Sequence, residues 1–180
     1  MAAGATVRIF EVNLSDIDRG IYETLELKVA QHPSEDGPYL IARVLAYLLE
    51  YEEYISFSGG LSCADEPAVW VRDLTGQTQA WIEVGTPSAQ RLHKARKAVT
   101  RVCVYCHKDE SGWLRGLQRG SVYQSDSIRL FLLPRKQVQQ LARGLERRNH
   151  WSVSRMEGQI YLETPEGTVE LEPMQIPWPT

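Results

Sequence analysis

The sequence is short of cysteines, long apolar runs and leader-like features, and each shortage excludes a class of protein. Only three cysteines occur in 180 residues, an odd number that indicates a reducing compartment without a disulfide framework. No stretch approaches the roughly 20 apolar residues that a membrane helix needs. The first residues lack the basic segment and apolar run of a secretory signal peptide. We therefore predict a cytoplasmic protein with no membrane partner.

One cysteine pattern imitates a haem-attachment motif, because residues 103–107 read Cys-Val-Tyr-Cys-His. The segment is apolar and β-branched, which favours a strand. Residues three apart on a strand point to opposite faces, so Cys103 and Cys106 would diverge. We therefore expect no haem and no zinc here, and interpret these cysteines as buried thiols.

Charge is unevenly distributed along the chain. The net charge is −3, but residues 91–148 contain 14 Lys/Arg and 4 Asp/Glu, which gives +10 for that segment and −13 for the rest. Such asymmetry indicates either an anionic partner for the basic segment or neutralisation between basic and acidic elements across the fold. The sequence leaves both interpretations open.

The apolar patterns predict a single α/β (α+β) domain over residues 1–180, with a mixed β-sheet core flanked by helices. An extra antiparallel β-meander is expected at the C-terminus. Predicted strands cover residues 7–13, 25–29, 68–73, 78–84, 102–107, 121–124 and 128–133, and the meander covers 151–156, 159–164 and 168–172. Predicted helices cover 39–54, 88–101 and 135–149, with a loop or short helix over 108–120.

Glu83 is the residue that most needs an explanation. It lies in Ala80-Trp-Ile-Glu-Val84, a run typical of a strand covered on both faces. A carboxylate there is costly unless it is paired, hydrogen-bonded or bound to a metal. The structural explanations are a strand-end Glu that already reaches water or a salt bridge to a neighbouring helix, and a functional site is the alternative.

The preceding hairpin narrows the set of acids that can lie near Glu83. If the turn centres near residues 75–76, paired positions sum to about 151, and Glu66 faces the same way as Glu83. A slip of one residue would put Asp65 there instead. Asp73 would be roughly 17 Å away along the strand, at ~3.3 Å per residue. The register therefore favours Asp65 or Glu66 over Asp73.

Two carboxylates from adjacent strands form a hard-oxygen site of the kind that Mg²⁺ prefers, with water and phosphate completing the shell. The following helix supplies Arg91, Lys94 and Lys97 along one flank. Acids at strand ends followed by a basic helix form a phosphate-handling arrangement. The alternative is a solvated helix face.

Five separated motifs resemble the YaeQ family. They are His32-Pro-Ser-Glu35, Ala64-Asp-Glu-Pro67, Trp70-Val-Arg72, Trp81-Ile-Glu-Val-Gly85-x-Pro87 and Arg91-x-x-Lys94-Ala95. The resemblance implies a variant of the PD-(D/E)XK, restriction-endonuclease-like fold. In that superfamily an Asp and a Glu on adjacent strands bind Mg²⁺, and a Lys polarises the attacking water.

Carried over residue by residue, the resemblance assigns Glu83 to the (D/E) position and Asp65 or Glu66 to the first acid. The Lys of the motif would fall at position 85, which is Gly85. Lys94, or alternatively Arg91, would have to replace it from the helix. This departure leaves two functional hypotheses, a Mg²⁺-dependent nuclease and a non-catalytic module that binds nucleic acid, another anion or a protein.

Two further residues are candidates for the border of the site. His32 precedes the first helix, where a cap for that helix is the simpler interpretation, with Ser34 or Asp36 as the cap. Arg43 lies inside that helix, and we expect it to pair with Glu83 or Glu66 if it faces the sheet. The sequence does not specify the oligomeric state.

Overall fold

The computed structural model describes residues 4–59 and 65–180, which divide into two compact units. The first unit holds the chain up to Ile41 together with Pro134–Pro173. The second holds Ala42–Leu133 together with Met174–Thr180. The prediction of a single domain over residues 1–180 stays a prediction.

The described residues form eleven strands and four α-helices. The strands are β1 Thr6–Asp16, β2 Ile21–Gln31, β3 Ile55–Phe57, β4 Val69–Arg72, β5 Thr78–Val84, β6 Arg101–Cys106, β7 Arg129–Leu132, β8 Arg148–Met156, β9 Gln159–Thr164, β10 Gly167–Leu171 and β11 Met174–Ile176. The helices are α1 Gly37–Leu49, α2 Ala89–Ala98, α3 Ser111–Arg119 and α4 Arg135–Arg143. Among these residues, no helix is long and apolar enough to cross a membrane.

The first unit is built on a five-stranded sheet in the order β10-β9-β8-β1-β2. The first two strands form an antiparallel hairpin, in which β1 pairs with β2 from Thr6↔Gln31 to Asp16↔Ile21. β8 adds in parallel to β1 and begins the predicted C-terminal meander. Alternate residues such as Phe10, Val12 and Leu14 are buried, as expected of strands with one covered face.

The second unit is built on a six-stranded sheet in the order β11-β7-β6-β5-β4-β3. β3, β4 and β5 are antiparallel neighbours, and β5, β6 and β7 run parallel. The central strand β5 is buried from Ala80 to Val84, which confirms that it is covered on both faces. One face packs on α2 and α3 through an apolar cluster that includes Trp81, Leu92, Ala95, Val104, Trp113 and Leu117.

Several boundaries differ from the sequence prediction. The strand predicted over residues 121–124 is wrong, because Gln124 adopts φ 45° and leads into a 3-10 turn at Ser125–Ser127. α4 ends at Arg143 because Gly144 caps it, so the chain turns and β8 starts at Arg148. The short strands β3 and β11 were not predicted. Three residues carry too little periodicity to be recognised as a strand.

Candidate functional site

Glu83 is a buried carboxylate that is already paired. Its side chain is 5% exposed, and its Oε1 accepts hydrogen bonds of 2.6 Å from Trp81 Nε1 and from Arg91 Nε. Burial raises the pKa of Glu83, and the bonds from Trp81 and Arg91 partly oppose that rise. The negative charge of this carboxylate in a covered strand is therefore compensated by an arginine from the following helix.

Arg91 reaches Glu83 because α2 begins at a defined point. The Ser88 side chain caps the helix by accepting the Arg91 amide at 3.2 Å, which is the usual role of serine at this position. Arg91 Nη2 also donates to the backbone carbonyl of Glu66 at 2.5 Å. Arg91 thus connects the acid on β5 to the backbone that leads into β4.

Asp65 and Lys94 form a second ion pair on the solvent side. Lys94 Nζ lies 2.7 Å from Asp65 Oδ1, and the two side chains are 68% and 87% exposed, Lys94 first. The hydrogen bond from Lys94 lowers the pKa of Asp65. An exposed pair of this kind contributes little to stability because water screens it. Lys94 can therefore exchange its partner at little cost.

The other two candidate acids have structural roles in the described residues. Glu66 Oε2 accepts the amide of Gly59 at 3.0 Å. Asp73 organises the β4–β5 turn, where its Oδ1 accepts the amides of Thr75 and Gln77 at 2.8 and 3.0 Å. The predicted register is confirmed, since Trp70 pairs with Trp81 and Val71 with Ala80. Asp73 therefore lies at the turn end of the hairpin, whereas Glu83 lies at the other end.

An open cleft of about 580 Å³ runs beside α2. The described residues that line it are Asp65, Trp81, Ser88, Gln90, Arg91, His93, Lys94 and Lys97. Three of these side chains are cations and one is an acid. The predicted basic flank of Arg91, Lys94 and Lys97 thus shares one cavity with Asp65, and Glu83 lies behind Arg91.

The acids of this region are already bound by nitrogen donors, which bears on whether a metal ion fits them. Among residues 4–59 and 65–180, no group of three or more His, Cys, Asp or Glu side chains could hold a metal ion. Glu83 is bound by Arg91, Asp65 by Lys94 and Glu66 by the Gly59 amide. A Mg²⁺ ion would have to displace at least one of these donors.

Gly85 follows β5 directly, at the position where the resemblance would place a lysine. Gly85 adopts φ 92°, a backbone conformation that residues with a Cβ rarely adopt. Its amide donates to the Tyr105 carbonyl at 2.9 Å, which extends the pairing of β5 with β6. A lysine would therefore be strained at this position, and the cations of the site come from α2 instead.

His32 and Arg43 do not line the cleft beside α2. His32 belongs to the first unit, where its Nδ1 lies 2.6 Å from Ser34 Oγ, and Asp36 caps α1 by accepting the Tyr39 amide at 2.8 Å. Arg43 is 1% exposed within α1, and its guanidinium lies 5.5 Å from the ring centroid of Phe57. Arg91 holds the Glu83 carboxylate, and the pairing of Arg43 with Glu83 or Glu66 stays a prediction.

Two contacts of this region were not predicted from the sequence. The Trp81 indole donates to Glu83, and the Arg72 guanidinium lies on the Trp70 ring. The signal for both was the spacing of two residues along a strand, which puts side chains on one face. That spacing indicates that the two side chains of each pair are close to each other. Whether they form a hydrogen bond or a stacked contact depends on how neighbouring strands cover the tryptophans.

Comparison with known proteins gives a consistent family. A family model described as YaeQ protein matches residues 1–173. The chain is 28% identical over 173 residues to the "Uncharacterized protein YaeQ" of Salmonella typhi, covering 96% of both chains. It is 27% identical over 172 residues to the protein of that name in Escherichia coli strain K12, covering 95% of both.

Two crystal structures share the fold over nearly the whole chain. The YaeQ protein from Pseudomonas syringae matches with a TM-score of 0.90 and 30% identity, covering 96% of each chain. The YaeQ protein from Xanthomonas axonopodis pv. citri matches with a TM-score of 0.86 and 32% identity, covering 97% of this chain and 99% of the other. The mixed α+β architecture with two sheets is therefore that of these proteins, and this chain belongs to the YaeQ family.

Proposed function

We propose that the cleft beside α2 binds the phosphate groups of a nucleic acid without cleaving them. The observation that carries the proposal is the charge balance of the site. Arg91 and Lys94 already neutralise Glu83 and Asp65, and Lys97 adds a further positive charge. A cavity of this composition attracts an anion more strongly than a divalent cation.

The two ion pairs differ in what they contribute to binding. In the Arg91–Glu83 pair the carboxylate is buried, so the pair fixes the position of the Arg91 guanidinium. The Lys94–Asp65 pair is exposed, so a phosphate can replace Asp65 as the partner of Lys94 at little energetic cost. Lys97, three residues further along α2, lies on the same flank. Together they form a short row of phosphate contacts.

Charge reversal on α2 tests this proposal. We expect Lys94→Glu and Lys97→Glu to weaken binding of a short fluorescent oligonucleotide, measured by anisotropy, while Lys108→Glu in an exposed loop serves as the matched control. Three cationic contacts to a single strand predict a slope of about −2 in a plot of log affinity against log salt concentration. Unchanged binding by both α2 variants would refute the proposal.

A second candidate is a Mg²⁺-dependent phosphodiesterase with a variant PD-(D/E)XK site, as the resemblance implied. The observation that favours it is Lys94 Nζ at 2.7 Å from Asp65, since the reaction requires a lysine beside the acids. Asp65 or Glu66 and Glu83 would hold the ion, which would activate water and stabilise charge on the phosphate. Arg91 would have to release Glu83 for the ion to bind.

Calorimetry separates the two candidates. The nuclease predicts Mg²⁺ or Mn²⁺ binding that Glu83→Gln abolishes, and Asp126→Asn, a surface acid outside the cleft, should leave that binding intact. If the wild-type protein binds neither ion even with an oligonucleotide present, the nuclease is excluded. Oligonucleotide binding that survives Glu83→Gln would then support the binding module.

A further inference from the structure

A planar cation lies on the strand next to β5. The guanidinium carbon of Arg72 is 3.2 Å from the ring centroid of Trp70. At that distance the guanidinium must lie flat on the indole, because a tilted group would clash with the ring. Trp70 is 8% exposed, whereas Arg72 is exposed. The contact holds the guanidinium against the indole, on a residue that remains exposed to solvent.

The Arg72–Trp70 pair lies on the strand next to the one that contributes Trp81 to the cleft beside α2. Trp70 on β4 and Trp81 on β5 are direct cross-strand partners, which places their Cα atoms about 4.5–5.5 Å apart. Trp81 lines the cleft together with Arg91, Lys94 and Lys97. The Arg72–Trp70 pair is therefore one strand away from the row of cations that we propose to hold phosphates.

The tryptophans themselves are not available for stacking. Trp81 is 9% exposed, packs in the apolar cluster against α2 and donates to Glu83. Trp70 is covered, and Arg72 lies on its ring. An aromatic ligand that approaches this side of the hairpin would meet the guanidinium plane of Arg72 before either indole.

We propose that Arg72 is a stacking platform for an unpaired nucleobase, so that the ligand of the cleft is a single-stranded nucleic acid. Bases of single strands stack on guanidinium planes as well as on aromatic rings. The faces of bases inside a duplex are already covered by their neighbours, which excludes them from such a platform. This inference rests on the proposed phosphate-binding function, and it adds the part of the ligand that the cations do not recognise.

Strands with and without bases test the platform. An oligothymidylate and an abasic strand of equal length carry the same phosphates, so their affinity ratio isolates the contribution of the bases. We expect the wild-type protein to bind the oligothymidylate at least about fivefold more tightly. Arg72→Lys keeps the charge but removes the plane, and should bring the ratio close to one while leaving the abasic affinity within about twofold.

The control variant is Arg119→Lys, an exposed arginine at the end of α3 that should keep the wild-type ratio. The platform is refuted if Arg72→Lys retains the wild-type ratio, or if a duplex binds as tightly as the single strand. Equal binding of both strands by the wild-type protein, still weakened by Lys94→Glu, would also refute it and would leave the phosphate-binding function standing. Failure of the wild-type protein to bind either strand would refute both proposals.

Discussion

At the scale of single residues, Glu83 is where burial and charge conflict most directly. Arg91 and Trp81 both bind its carboxylate, but burial still outweighs them and raises its pKa. Its protonated form is therefore favoured in the folded protein relative to the unfolded chain. The stabilising contribution of this group is fully present below the unfolded pKa and is lost as pH rises through the folded pKa.

The raised pKa of Glu83 predicts how the stability of Glu83→Gln compares with that of the wild-type protein as pH changes. Between about pH 4 and pH 7, the wild-type free energy of unfolding should fall relative to that of the variant, because only the wild-type protein must ionise a buried acid. Urea denaturation of both proteins at several pH values measures the difference. A difference that grows in favour of the wild-type protein as pH rises would contradict the assigned direction.

Gly85 gives a second prediction at this scale. With φ 92°, Gly85→Ala should lower the free energy of unfolding by about 1–2 kcal/mol, because the added Cβ is strained in this conformation. Gly116 is the matched control. It lies within α3, where an added Cβ would meet open space, so Gly116→Ala should raise stability by about 0.5–1 kcal/mol. Equal effects of both changes would contradict this account.

At the scale of elements, a partly buried polar network joins the end of α1 to β6 and β7. Glu50 follows α1 and accepts hydrogen bonds from the Tyr105 hydroxyl at 2.6 Å and from Arg129 Nη2 at 2.9 Å. Arg129 also contacts Cys103 Sγ at 2.8 Å. Burial raises the pKa of Cys103 to about 12. The network is thus a structural connection between elements, with a thiol that stays protonated.

Removing one donor measures the strength of this connection. Tyr105→Phe should cost about 1–3 kcal/mol, because a buried carboxylate loses a hydrogen bond. Tyr123→Phe is the control, since Tyr123 is 48% exposed and should change stability by no more than about 0.5 kcal/mol. Thermal or urea unfolding gives both values. If Tyr105→Phe left the free energy of unfolding unchanged, water would have replaced the missing donor.

At the scale of the whole molecule, the fold divides the basic segment of the sequence. Residues 91–133 belong to the second unit and residues 134–148 to the first. The second unit contains 11 Lys/Arg and 10 Asp/Glu, a net charge of +1, and the first contains 9 and 13, a net charge of −4. The second unit is therefore close to neutral, whereas the first keeps a net negative charge. The nucleic-acid binding that we propose would therefore depend on the local charges of the cleft rather than on overall charge.

The second unit also includes residues from the far end of the sequence. β11 pairs with β7, Trp178 packs on the apolar cluster, and Gln118 Nε2 donates to the Thr180 carbonyl at 2.7 Å. We expect Trp178→Ala to lower the free energy of unfolding by about 1–3 kcal/mol, less than for a fully buried tryptophan. Met174→Ala, at a side chain that is 59% exposed, should have little effect. Circular dichroism during urea denaturation measures both, and equal losses would contradict the packing role.

The sequence by itself determined the local features of this protein. Alternating apolar residues and turn residues predicted most strands and the helices α1, α2 and α4, because these patterns depend on neighbours along the chain. The β4–β5 register followed from one short turn, and it placed Asp65 and Glu66 nearer to Glu83 than Asp73. The basic flank of α2 followed from helical spacing alone.

Only the tertiary structure decided which side chains pair. Arg91 holds Glu83, because α2 packs on the face of β5 that carries this acid. The meander joins β1 in the five-stranded sheet and not the six-stranded sheet that contains β5. Arg72 lies on Trp70. These outcomes depend on contacts between residues far apart in the sequence, and on which charged groups lose water together, neither of which a local pattern specifies.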